Sequence, residues 1–149
     1  AALLDFLIAS FLFILLIFYF GQQQHLMWII VILPVALLMV LLTLIGTGAF
    51  FAALNVKYRD FRYVIPFLLQ VLFFLTPVIY PVKFFSSNWI QHILAINPVG
   101  IAIDLLRSAL DGNPISLEKI STGFGISLLL LVVGIYYFRK TEDYFADLA

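Results

Sequence analysis

The chain has 149 residues, of which 64% are hydrophobic and only 11% charged. Soluble domains average roughly 45–50% apolar and about 25% charged, so a water-soluble fold of this length could not hide so much apolar surface, and the solvent must be lipid. Eight Lys and Arg balance eight Asp and Glu, which removes the electrostatic case for nucleic acid as a partner, and zero cysteines exclude disulfides, thiolate metal sites and thiol nucleophiles.

The first residues, AALLDFLIASFLF, carry neither an initiator Met nor the basic stretch and small-residue cleavage site of a signal peptide. They open inside an apolar run, and the expectation is a piece of a longer protein whose N-terminal part is missing. A spanning helix needs about 20 mostly apolar residues. Residues 3–20 supply the first, with Asp5 near one end, and GQQQH (21–25) follows as a polar turn. Residues 26–54 form a second run, long enough to span with tilt, and place Trp28 where an interfacial anchor sits. The third span is expected over 63–80 and the fourth over 120–138, followed by RKTEDYFADLA.

Between the third and fourth spans, residues 84–110 hold two short helix-like pieces, about 88–96 and 99–110, broken at Asn97–Pro98. The first puts Trp89 on its apolar face, and the second carries Asp104 and Arg107 away from its own. Twelve residues rise about 18 Å, well short of the roughly 30 Å hydrocarbon core. Such pieces lie on the membrane surface or dip in and return, buried in protein or lining a wet cavity. The predicted architecture is therefore all-α and integral to the membrane. It has four transmembrane helices in a single domain over 1–149, and two short re-entrant or interfacial helices on the outer side.

Orientation follows from the basic residues. Lys57, Arg59 and Arg62 cluster in one loop, and Arg139 and Lys140 follow the last span. Four spans put both clusters on one side, which the positive-inside rule makes the cytoplasm. The outer side also carries Lys83, Arg107 and Lys119, together with Asp104, Asp111 and Glu118.

Few residues can do chemistry. There are two histidines, His25 and His92, and neither an HExxH pattern nor a Gly-x-x-x-x-Gly-Lys phosphate loop. No catalytic residue and no metal site is expected. The four charges Lys57, Arg59, Asp60 and Arg62 would cost on the order of 10 kcal/mol at mid-bilayer, so that loop belongs at the cytoplasmic surface. It reads either as a topological anchor snorkelling to lipid phosphates or as a docking element for a partner. Pro66, Gln70, Phe73 and Pro77 recur every three or four residues and so share one helix face. That face reads either as a kinked helix with Gln70 bonded to a neighbour, or as a pore-facing stripe ending in a gate at TPVIYP (76–81). Gly48 and Ala52, and Gly123, Ser127 and Gly134, mark small-residue faces for helix packing, within the chain or across an oligomer. The aromatic residues, 17% of the chain, face lipid or form interfacial belts for the most part, with a minority available to line a path.

Asn55, Tyr58-Arg59-Asp60, Pro66-Phe67 with Gln70, and Thr76-Pro77-Val78-Ile79-Tyr80-Pro81 together resemble the signature of one family. It is the type-2 ATP-binding-cassette exporter permeases of bacteria, in the branch that exports O-antigen, capsular polymer and teichoic acid. INPVGIAIDLLRSAL (96–110) also resembles the family's outer segment, in which an Asn-Pro precedes a short helix carrying an Arg. The resemblance covers nearly the whole chain, from about Ala2 onward.

The resemblance implies that the four spans are helices three to six of a six-helix permease, the chain being its C-terminal two thirds. Two permeases pair as a homodimer with two nucleotide-binding ATPase subunits, which hold the ATP and Mg; no cofactor is expected in this chain. The cargo implied is a lipid-linked polysaccharide, exported across the bacterial inner membrane by a multi-pass protein with a cytoplasmic C-terminus. Asn55, Lys57, Tyr58, Arg59, Asp60 and Arg62 would form the partner-facing or entrance loop. Pro66, Gln70, Phe73, Thr76, Pro77, Tyr80 and Pro81 would line the pore or gate, and Trp89, Asn97, Pro98 and Arg107 would belong to the re-entrant outer segment. In the C-terminal tail, Glu142, Asp143 and Asp147 dilute the basic charge, which departs from the family pattern. The same fold also serves exporters of drugs, heme or lipids, the alternative reading. A scaffold or an ion-coupled carrier is a reading from another class. Ion coupling usually draws on intramembrane Asp, Glu or His, and Asp5 is the one candidate here.

Overall fold

The computed structural model describes residues 2–19, 21, 26–58, 60–76 and 96–146. These form five α-helices and no strand: α1 (Ala2–Tyr19), α2 (Leu26–Lys57), α3 (Phe61–Leu75), α4 (Pro98–Leu110) and α5 (Leu117–Ala146). The all-α class read from the sequence is what the described residues show. Two helices, α2 over its whole length and α5 over Leu117–Glu142, are long and apolar enough to cross a membrane. At 1.5 Å per residue, the 32 residues of α2 reach about 48 Å, beyond the roughly 30 Å of hydrocarbon.

Several boundaries differ from the expected ones. α2 continues past residue 54 to Lys57, and α3 starts at Phe61 rather than 63. α3 closes at Leu75, with Thr76 at its C-cap. α5 extends beyond the expected 120–138 at both ends, so Arg139, Lys140 and Glu142, read as following the span, continue its helix. Apolarity locates the stretch inside lipid, but backbone hydrogen bonding continues into the interface wherever Lys, Arg and Glu, good helix formers, allow it. The expected first short piece, 88–96, lies outside the described residues except for Ile96. The second is α4, one residue longer at its start than expected.

The core is the seam between α2 and α5. The buried residues of α2 are Ile29, Ile32, Ala36, Met39, Thr43, Gly46 and Ala53, recurring at steps of three and four or their sum. On α5, Gly123, Ser127, Gly134 and Thr141 are buried with the same heptad spacing. A 3.5-residue repeat keeps one narrow face turned toward the partner along a long helix, as in a coiled coil. Small residues dominate the seam because lipid tails are as apolar as leucine, so close packing rather than apolarity selects the contact face. A Cβ on Gly46 would stand 2.6 Å from the Leu130 carbonyl carbon, and one on Gly134 would stand 2.7 Å from the Gly46 carbonyl carbon. The two backbones are in direct contact. Gly48 and Ala52, expected as a packing face, are exposed in this chain, and a Cβ on Gly48 would meet nothing within 4 Å. Two residues on, Gly48 stands a little over half a turn around the helix from Gly46, on the face away from the seam.

α4 lies across the N-terminal halves of both long helices. Ile101, Leu105 and Ala109 are buried in one cluster with Ile17, Ile29, Ile32 and Met39, joined by Ile115, Ile120 and Phe124. Its N-terminus is capped by Asn97, whose side chain accepts from the backbone N–H of Val99 at 3.0 Å and of Gly100 at 3.4 Å, with Pro98 in the first turn. Its C-terminus stops at Gly112, at φ +68°, where Asn113 N–H reaches back to the Ser108 carbonyl at 2.9 Å. The left-handed glycine lets the chain turn off the helix while that carbonyl stays bonded. α3 is different: it packs mainly on α2, and none of its residues is buried. Large apolar side chains such as Phe11, Phe18, Leu41, Phe67, Leu129 and Val132 face outward, as expected where lipid is the solvent.

Candidate functional site

The described basic residues stand where α2 ends and α3 begins. Tyr58 N–H bonds the Leu54 carbonyl at 2.8 Å, closing the last turn of α2, and Phe61 N–H bonds Tyr58 O at 3.0 Å, so α3 begins almost at once. Asn55 and Lys57 therefore sit on the last turn of α2 and Arg62 on the first turn of α3. Lys57, Tyr58, Asp60 and Arg62 are exposed and Asn55 is half-buried. Asp60 occupies the N-cap of α3 without a side-chain capping bond, so its carboxylate is not consumed by the helix start. Lys57 Nζ lies 5.6 Å from the Tyr58 ring centre, and the Tyr58 and Phe61 rings stand 6.4 Å apart. This places a cation, a carboxylate and aromatic rings together at the junction of α2 and α3. Arg59 lies outside the described residues.

On α3, Pro66, Gln70 and Phe73 share one exposed face, as their spacing required. Thr76 ends that helix. Its backbone N–H bonds Leu72 O at 2.9 Å, and its hydroxyl donates to the same carbonyl at 2.8 Å. The Thr76 oxygen in turn accepts from Asn97 Nδ2 at 3.0 Å. A residue expected at the gate and one expected in the re-entrant segment are thus hydrogen-bonded across 21 positions of sequence. Pro77, Tyr80, Pro81 and Trp89 lie outside the described residues. Pro98 is buried, and Arg107 is half-buried in the last turn of α4. Asp104 of α4 pairs with Lys119 in the first turn of α5, with side chains 39% and 52% exposed, so this ion pair is a surface tie between the two helices.

Contacts between α2 and α5 advance in the same direction. Met39 meets Gly123, Thr43 meets Ser127, Gly46 meets Leu130 and Gly134, and the Phe50 and Tyr137 rings meet at a tilt with centres 5.1 Å apart. The helices are parallel. Lys57 and Arg62 therefore lie toward the same end of the pair as Arg139 and Lys140, while α4 covers the opposite end.

Sequence reading missed one polar element inside the seam. Thr43 Oγ1 is 3.1 Å from Ser127 Oγ and 2.8 Å from Met39 O, and Ser127 Oγ donates to Gly123 O at 2.8 Å. Every buried side-chain oxygen or nitrogen among the described residues has a partner. The signal that would have found Thr43 is its place in the heptad of Ile29, Ile32, Ala36, Met39 and Gly46. Among the described residues there is no group of three or more His, Asp or Glu that could hold a metal ion. What these elements can do is position helices and present charge at one end.

Comparison with known proteins adds the family. The model of the ABC-2 type transporter membrane domain matches residues 2–110. Two curated relatives, each named O-antigen export system permease protein RfbA, from Klebsiella pneumoniae, are 27% identical over 145 residues, covering 97% of this chain and 55% of their own length. A relative of the same name from Myxococcus xanthus is 32% identical over 122 residues, 80% of this chain and 47% of its own length. The chain spans about half the length of the curated relatives it matches. No solved structure matches it. With the family model covering α1 to α4 and the relatives aligned through α5, the chain belongs to the ABC-2 type transporter family of membrane permeases.

Proposed function

We propose that this chain is membrane-embedded machinery of an ATP-driven exporter, moving a lipid-linked polysaccharide of the O-antigen, capsule or teichoic acid type out across a bacterial inner membrane. The observation that carries the reading is the family match across residues 2–110, joined to relatives named for O-antigen export along 97% of the chain. ATP and Mg belong to a separate nucleotide-binding subunit, and a second copy of the permease completes the pore.

The topology has support in the helix packing. Parallel α2 and α5 both run toward the end that carries the basic residues, so the chain between them must cross back once. α3 starts at the basic end and its cap Thr76 meets Asn97 at the start of α4, so it is the helix available for that crossing, whereas α4 lies across the N-terminal halves of both long helices. With α1 as the first span, four helices cross and α4 remains at the outer side as a re-entrant or interfacial element. Positive-inside makes the end with Lys57, Arg62, Arg139 and Lys140 cytoplasmic, together with the C-terminus. The turn with Asn55, Lys57, Tyr58, Arg59, Asp60 and Arg62 then faces the ATPase or the phosphates of the lipid carrier. Pro66, Gln70 and Phe73 line the path, Thr76, Pro77, Tyr80 and Pro81 lie at its outer gate, and Trp89, Asn97, Pro98 and Arg107 belong to the segment that flanks it.

The test is a strain deleted for the gene, complemented by the whole protein and scored for surface polysaccharide. In parallel, ATP hydrolysis is measured on the permease–ATPase complex in liposomes with and without lipid-linked polymer. Surface polymer restored by complementation and ATPase activity raised by the polymer are expected. Unaltered surface polymer in the deletion, with ATPase activity raised instead by a drug, heme or a phospholipid, overturns the polysaccharide assignment.

A further inference from the structure

We propose that Asn97 is a positioning residue that holds the C-terminal end of α3 onto the unit formed by α2, α4 and α5, through its hydrogen bond to Thr76. α3 has no buried residue, packs mainly against α2 and reaches that helix through a turn of three residues, so apolar packing fixes it weakly. α4, by contrast, is anchored by Pro98, Gly100, Ile101, Ala102, Leu105 and Ala109, all buried. Asn97 stands at the start of the anchored helix and uses both halves of its amide. Oδ1 caps α4 by accepting from Val99 and Gly100, and Nδ2 donates to Thr76 Oγ1 at 3.0 Å.

The Thr76 hydroxyl has one proton, and it is committed to the Leu72 carbonyl at 2.8 Å. Its oxygen is therefore oriented as an acceptor, which matches the amide donor of Asn97 and would repel a carboxylate. The contact ties the exposed helix to the buried one at the end opposite the basic turn, so α3 is held at both ends and lightly between them. A helix fixed in this way moves about the turn when that bond opens. Its bearing on transport rests on the export reading above, but the placement of α3 does not.

The experiment separates cap from contact. These 149 residues contain no cysteine, so, with any cysteine elsewhere in the whole protein replaced by serine, Phe74→Cys and Leu129→Cys, both at exposed positions, give one label site on α3 and one on α5. Spin-label distances are measured between them in the whole protein reconstituted in liposomes. Thr76→Val removes the acceptor with little change in shape. Asn97→Asp keeps an oxygen to cap α4 but has no amide donor, and Thr76→Ser keeps the hydroxyl. A single narrow distance distribution is expected in the labelled parent and in Thr76→Ser. Loss of that narrow distribution, by broadening or shift, is expected in Thr76→Val and Asn97→Asp. Distributions for Thr76→Val that superimpose on the parent overturn the proposal, and that variant decides alone if Asn97→Asp does not accumulate. Surface polymer is scored in the same strains. No export by the unsubstituted protein would sink the export reading while the distances still decide the contact.

Discussion

Gly134 rests on the backbone of Gly46 where α5 crosses α2, with no space between them for a methyl group. The crossing sits midway along the two long helices, so its separation sets how closely every other seam residue meets its partner. Gly134→Ala is expected to destabilise the folded protein by about 1–3 kcal/mol, toward the upper end because the added carbon strikes backbone rather than a movable side chain. Gly48→Ala, which meets open space, is expected to change stability by less than about 0.5 kcal/mol. Thermal unfolding of the two purified variants in detergent, followed by loss of monodisperse protein, distinguishes them. Equal behaviour contradicts the placement of the crossing.

Met39 is fully buried, and its terminal methyl fills the space over Gly123. Gly123→Ala should cost less than Gly134→Ala, because a methionine end can swing aside where a carbonyl cannot. Met39→Ala leaves a cavity and should cost about 2–5 kcal/mol. The double variant should be less damaged than the two single effects added, since the new methyl occupies part of the vacated space. Strict additivity in the same unfolding assay contradicts the contact.

Thr43 and Ser127 form the polar bridge between the long helices. A double-mutant cycle with Thr43→Val and Ser127→Ala should return a coupling of about 0.6–1.7 kcal/mol, the range for hydrogen bonds between membrane helices. Ser127 donates its proton to Gly123 O, and Thr43 shares its one proton between Met39 O and Ser127 Oγ, which holds the coupling below the full worth of an isolated bond. A coupling indistinguishable from zero means the two hydroxyls are neighbours without mutual stabilisation.

The exposed cations of the turn, Lys57 and Arg62, give the functional counterpart. Near an anionic partner or leaflet each is worth about 1 kcal/mol, so losing both attractions weakens the contact by roughly thirty-fold. Lys57→Glu with Arg62→Glu should leave membrane insertion and yield intact while lowering both co-purification of the ATPase subunit and surface polymer. Unchanged co-purification and export in a normally inserted double variant would rule out a partner or lipid-phosphate contact for these residues.

Much of the helix layout was legible in the residues. Apolar run lengths located α1, α2 and α5, the break at Asn97–Pro98 located the start of α4, and the spacing of Pro66, Gln70 and Phe73 put them on one face. The helix ends were less legible, because apolarity reports where lipid is and not where backbone hydrogen bonding stops. Lys57 and Arg139 are polar yet helical for that reason. The candidate site divided in the same way. The exposed turn was located by the cost of placing its charges in lipid, a property of the residues themselves. The bond between Thr76 and Asn97 joins residues far apart in the chain, and no local periodicity announces it.

By itself the sequence determined the solvent, the helical class and the end of the molecule where the basic residues gather, because transfer free energies and helix lengths are properties of individual segments. Only the tertiary structure decided that Gly46 and not Gly48 meets α5, that α2 and α5 run parallel, and that α3 is tied to α4 at its far end. In lipid all faces of these helices are about equally apolar. The hydrophobic pattern therefore carries little directional information, and the choice falls to backbone fit and single hydrogen bonds.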